Sequence, residues 1–117
     1  MKRIWILVMV LFSASVTAGV SPVTQLEIEH LLNFIRNSSC IIDRNGKTYT
    51  AVKAISHIEK KYAYFEDKIE TTEDFIDLSA SKSTMSGKHY MVRCGDADQI
   101  KTREWLMQEL KGLRQQG

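Results

Sequence analysis

Cys40 and Cys94 are the two cysteines of this sequence, and what they can do depends on the compartment in which the chain folds. The N-terminus bears on that question. Lys2 and Arg3 precede an apolar run from Ile4 to Phe12, and Ser13-Ala-Ser-Val-Thr-Ala18 follows, with small residues where a signal peptidase requires them. The three regions of a secretory signal stand in order. They predict cleavage after Ala18, leaving residues 19–117 as one mature domain. The competing reading is an uncleaved anchor, but Ile4 to Phe12 is well short of the roughly 20 apolar residues that a bilayer-spanning helix needs. After cleavage no membrane span is expected, and no cysteine lies near Ala18 to carry a lipid.

In an oxidising compartment an even pair of cysteines in a small exported chain is normally a disulfide, and two cysteines allow one intramolecular pairing. A Cys40–Cys94 bond would close a loop of 54 positions. For a chain of this size the hydrophobic core is limited by surface-to-volume scaling, so a crosslink matters. The alternative, a redox-active or metal-binding pair, lacks the Cys-x-x-Cys spacing. His30, His57 and His89 are scattered, so no metal site and no cofactor is expected.

Loss of the leader also changes the charge. Taking Lys2 and Arg3 from the 16 basic residues leaves 14, equal to the 14 acidic ones. A neutral mature chain without a Lys/Arg stripe does not read as a nucleic-acid binder.

Periodicity supplies the elements in order. Ser21-Pro22 and a capping-box pattern at Thr24-Gln-Leu-Glu27 open a helix whose apolar face is Ile28, Leu31, Leu32 and Ile35. It ends near Asn37-Ser-Ser39, residues that also match a glycosylation acceptor. Asn45-Gly46 between Cys40–Arg44 and Lys47–Tyr49 predicts a tight hairpin, because both central residues of a type I′ turn need positive φ. Thr50 caps a second helix with Ala51, Ala54, Ile55, Ile58, Tyr62 and Phe65 on one face and His57 at its edge. Thr71-Thr-Glu-Asp74 opens a short third helix through Ala80, and Ser81 to Gly87 is a loop by composition. His89–Cys94 reads as a strand beside the hairpin. Gly95-Asp-Ala-Asp98 turns into a last helix, capped by Asp98, with Ile100, Leu106, Met107, Leu110 and Leu113 facing inward. The predicted fold class is α+β: a small antiparallel sheet, hairpin 40–49 plus strand 89–94, packed with about four helices in the order α-β-β-α-α-β-α.

Little in the chain points to catalysis. Ser79-Ala-Ser-Lys82 matches a Ser-x-x-Lys pattern, but Lys101-Thr102-Arg103 lacks the glycine of the companion Lys-Thr-Gly element, and a helix end rich in small residues explains the same letters. The Ser81–Gly87 loop, followed by Lys88 and His89, can present hydroxyls and amides to an anion or a sugar. The candidate binding residues are therefore His57, Lys61, Ser81, Ser83, Ser86, Gly87 and Tyr90, with no catalytic residue assigned. The rival is a small hydrolase or transferase in which His57 activates a Ser81, Ser83 or Ser86 hydroxyl, which needs hydrogen-bonding distance between them.

Ser39-Cys40, Arg44-Asn45-Gly46, Tyr49, Ala54 with His57 and Lys61, Thr72-Glu-Asp-Phe-Ile76, Ala80-Ser81, Ser83, Ser86-Gly87, Tyr90 and Trp105-Leu106 together resemble the YfeK-like family of small exported bacterial proteins, a domain of unknown function. The resemblance spans nearly the whole mature chain. It implies a periplasmic address and a compact α+β domain, and carries no catalytic residue across. His89 stands where proline is expected in many relatives, which predicts a less rigid loop exit. The resulting expectation is a non-enzymatic periplasmic binding or accessory domain whose partner is an envelope protein or a cell-wall component.

Overall fold

The computed structural model describes residues 19–116; the expected leader, residues 1–18, lies outside them. The elements are α1 (Pro22–Asn37), β1 (Ile41–Arg44), β2 (Lys47–Thr50), α2 (Ala51–Phe65), a 3₁₀ turn (Glu66–Lys68), α3 (Thr72–Ser79), β3 (Met91–Arg93), β4 (Ile100–Lys101) and α4 (Thr102–Gln116). The strands form one antiparallel sheet in the order β2-β1-β3-β4. The α+β class and the pairing of the hairpin with the 89–94 segment are as expected. One element differs. The helical periodicity puts Ile100 on the last helix with Asp98 as its cap, whereas Ile100–Lys101 is a strand and the helix begins at Thr102. The free edge of β3 explains it: Val92 pairs with Ile100, and the Thr102 amide donates to the carbonyl of Tyr90, just before β3, at 2.9 Å, so main-chain groups along this edge find partners that a longer helix would deny them.

Local chemistry accounts for most element boundaries. Ser21 caps α1 by accepting from the Thr24 amide at 3.2 Å, Pro22 occupies the first turn, and Ile28, Leu31 and Ile35 are buried. The capping box expected at Thr24 and Glu27 does not form. Glu27 instead accepts from the Thr72 hydroxyl at 2.7 Å and from Arg114 at 2.9 and 3.1 Å, and Arg114 also reaches Glu73 at 2.6 Å. Ser21 is the cap, so Thr24 already lies inside α1 and has no capping role for Glu27 to complete, which leaves the Glu27 carboxylate to a two-pronged, charge-assisted contact with Arg114. This network ties α1 and α3 to the end of α4. Asn45 (φ 55°) and Gly46 (φ 83°) form the expected turn, with Asp43 accepting from the Gly46 amide. At α3 the box is complete: Thr71 accepts from the Asp74 amide, and Asp74 accepts from the Thr71 and Glu70 amides.

The core lies between one face of the sheet and the helices. Phe75, Ile76, Leu31, Ile35, Ile42, Val92 and Leu106 are sealed within it, and the Phe75 ring meets Tyr62 with centroids 5.2 Å apart. The Cys40–Cys94 disulfide joins the residue before β1 to the residue after β3, next to the paired Ile41 and Arg93. No free cysteine is present among the described residues.

Three carboxyls are held below their ordinary range: Glu27 and Glu73 chiefly by hydrogen bonds from Arg114, and Asp74 by the backbone amides of Glu70 and Thr71. In the folded state they stay ionised at pH values where the unfolded chain has begun to protonate. Their stabilisation is therefore present above the ordinary carboxyl value and lost as the pH falls through the depressed folded values. Thermal melts followed by circular dichroism should show a midpoint that declines below about pH 4.5. Glu27→Gln should reduce that decline while lowering the midpoint near neutrality; an unchanged acid limb would refute the assignment to Glu27.

Candidate functional site

At one end of the sheet, the start of the Asn45-Gly46 turn, the middle of α2 and the 81–90 segment converge. Arg44, at the end of β1, projects from the same face as Ile42, and Tyr49 of β2 is paired with Ile42. The Arg44 guanidinium lies 5.4 Å from the Tyr49 ring centroid and 5.2 Å from that of Tyr90. His57 meets Tyr49 edge-on at 5.3 Å. Lys61, one helical turn beyond His57, sits 5.0 Å from the Tyr90 centroid, 3.3 Å from its hydroxyl and 2.6 Å from the Lys82 carbonyl. Two cations thus share one buried tyrosine, an arrangement that the negative face of the ring favours.

The 81–90 segment is a closed loop. Lys82 and His89 form an antiparallel bridge, flanked by hydrogen bonds from the Tyr90 amide to Ser81 and from the Ser83 amide to Lys88, each 2.9 Å. Those donors are not the amide of His89, so a proline at that position would leave both bonds in place. Gly87 (φ 73°) turns the chain, and its amide donates to the Ser83 carbonyl. Ser81 and Ser83 are buried: the Ser81 hydroxyl donates to the Ile76 carbonyl at 2.5 Å, and the Ser83 hydroxyl accepts from the Ser86 amide at 3.3 Å. Ser86 is exposed and donates to Asn45 at 2.8 Å, clipping the loop to the hairpin turn.

The structure therefore brings His57, Lys61, Tyr90 and the loop into one neighbourhood, but divides their roles. Ser81, Ser83 and Gly87 build the loop, Lys61 and Tyr90 anchor it, Ser86 and Lys88 are exposed, and His57 is partly buried. No serine hydroxyl of the loop is bonded to an imidazole among the described residues. Among the described residues no group of three or more His, Cys, Asp or Glu side chains is placed to hold a metal ion.

The residue missing from the list of candidates is Arg44. It read as part of a hairpin, since a strand-end arginine beside Asn-Gly carries no chemical signature of its own. None of the ion pairs among the described residues uses Arg44 or Lys61, whereas Arg36, Arg103 and Arg114 each meet a carboxylate. His57 is pushed below its ordinary value, first by burial and then by the positive charges of Arg44, Lys60 and Lys53, all of which favour the neutral ring.

These residues fall inside the region matched by the model of a family of unknown function, residues 22–114. The chain belongs to that family, DUF5329. Among curated proteins it is similar to the uncharacterized protein YfeK of Salmonella typhimurium, 30% identical over 90 residues that take in 76% of this chain and 75% of the relative. No solved structure matches. The expected resemblance to YfeK-like proteins thus holds. The DUF5329 region runs from the start of α1 to near the end of α4 and so contains the disulfide, the sheet and the 81–90 loop together.

Proposed function

We propose that this DUF5329 chain is a periplasmic binding or accessory domain, exported through a cleaved leader over residues 1–18, that acts on an envelope partner through the surface formed by the 81–90 loop, Arg44 and the His57 side of α2. The supporting observation is a polar and cationic patch mounted on a backbone closed by a disulfide, a four-stranded sheet and a clipped loop. Preorganisation of this kind reduces the ordering cost of binding. The serines that a hydrolytic reading requires are spent on loop architecture: Ser81 and Ser83 are buried and bonded to the main chain, and Ser86 is bonded to Asn45. A disulfide suits an oxidising compartment. No helix of the described residues is long and apolar enough to cross a membrane.

Cell fractionation with intact-mass measurement of the product should place the protein in the periplasm with Gly19 at its N-terminus. Cosedimentation of that product with a purified envelope fraction should be saturable, and should weaken by about an order of magnitude in a His57→Ala/Ser86→Ala variant if these side chains touch the partner. A cytoplasmic protein with an intact leader would refute the address, and equal binding by the variant would refute the surface.

A further inference from the structure

We propose that the Arg44 end of the sheet is an oxyanion site, taking a carboxylate or phosphate group of an envelope polymer or lipid on the Arg44 fork with His57 as a second donor; this rests on the binding-domain reading above. Arg44 is half-buried, and its Nε is covered without meeting an acceptor among the described residues. The covered Nε is beyond a ligand's reach; the two terminal nitrogens are not covered and meet no acceptor or carboxylate among the described residues, so they are the part of the guanidinium that an incoming anion would meet. Tyr49 and Tyr90 hold the group by its affinity for their rings, which fixes its position without neutralising its charge. Carboxylate and phosphate match the planar guanidinium fork in a two-pronged contact, which no neutral sugar or cation does.

The surroundings select the same ligand. The charges that bear on His57 are all positive: Lys53 and Lys60 from its own helix and Arg44 from β1, while β2 offers the neutral Tyr49 ring. This concentration occurs in a mature chain with equal numbers of basic and acidic residues, and none of the ion pairs among the described residues brings a carboxylate to Arg44. An anion entering here offsets that field and raises the proton affinity of the imidazole. Binding therefore takes up a proton and strengthens as the pH falls.

The experiment uses the mature disulfide-bonded chain. Sodium phosphate and sodium acetate are titrated while the His57 ring is followed by NMR across pH. In the wild type both anions should raise the His57 midpoint. In Arg44→Gln they should not, and in Arg44→Lys, which keeps the charge and loses the fork, the shift should be smaller. His57→Gln, followed through the Arg44 side-chain resonances, should retain weak acetate binding that does not vary between pH 8 and pH 5.5. The same proteins are then tested on purified cell wall and on phosphatidylglycerol-containing vesicles, to separate a wall carboxylate or phosphate from a lipid headgroup. Wild-type binding to one of these should rise several-fold between pH 8 and pH 5.5, with about tenfold as the ceiling that one shifted unit in one proton-binding group supplies, and should be competed by phosphate. A His57 midpoint that neither anion moves, or Arg44 variants that respond like wild type, would overturn the site. Envelope binding that is blind to pH and phosphate would overturn the oxyanion site and leave the binding domain standing. An Arg44-dependent response to phosphate without envelope binding would do the reverse.

Discussion

Reduction of the Cys40–Cys94 bond, or its replacement in a Cys40→Ser/Cys94→Ser chain, should lower stability by about 4 kcal/mol, the chain-entropy cost of releasing a loop of 54 positions. In a chain of this size that is an expected fall in melting temperature of roughly 15–30 °C. The location of the bond adds to the effect. It clamps β1 to β3 where only Ile41, Ile42 and Asp43 are paired with Arg93, Val92 and Met91, so the central strands of the sheet have few other cross-strand bonds to rely on. Urea unfolding of the oxidised and reduced forms provides the check. The midpoint should drop and the denaturant slope should rise, because the uncrosslinked unfolded chain exposes more surface. A shift under about 5 °C would mean that the helical layer carries the fold and the crosslink is incidental.

Phe75→Ala should cost about 3–5 kcal/mol. Phe75 has no exposed surface, stands one residue into the buried stripe that follows the Thr71–Asp74 box, and packs its ring on Tyr62 of α2. The substitution leaves a void in the buried core, and the Glu27–Arg114–Glu73 network ties α1, α3 and α4 together, so the surroundings have little freedom to collapse into it. Phe75→Leu should lose less, since it leaves a smaller cavity. Equilibrium unfolding of the two variants, with the slope unchanged and the midpoint ordered wild type, Leu, Ala, is the expected result. A Phe75→Ala protein as stable as the wild type would show that α3 is not packed as described.

Elements with a local cause were legible from the letters alone. Ser21, Thr50 and Thr71 cap their helices because a side-chain oxygen there reaches an amide two or three residues on. Asn45 and Gly46 reverse the chain because they tolerate positive φ. The apolar stripes of α1 and α2 face the core because their spacing matches the helical repeat. Even the pairing of Cys40 with Cys94 followed from a count of two and an expected oxidising compartment.

Features that depend on distant partners were another matter. Two residues, Ile100 and Lys101, are too few to show an alternation, and they became β4 because β3 had an open edge beside them. Thr24 and Glu27 had the letters of a capping box, yet Ser21 starts the helix three residues earlier and the Glu27 carboxylate meets Arg114 at the far end of the chain. Arg44, Tyr49, His57, Lys61 and Tyr90 lie on four different segments, and each alone reads as strand, helix or loop furniture. Amino-acid sequence by itself determined where the backbone turns, starts and stops, because those choices are made by groups a few residues apart. Only the tertiary structure decided which charges are neutralised and which, like Arg44, are left facing two tyrosines without an acid, because electrostatic partnership is set by distance in space and not along the chain.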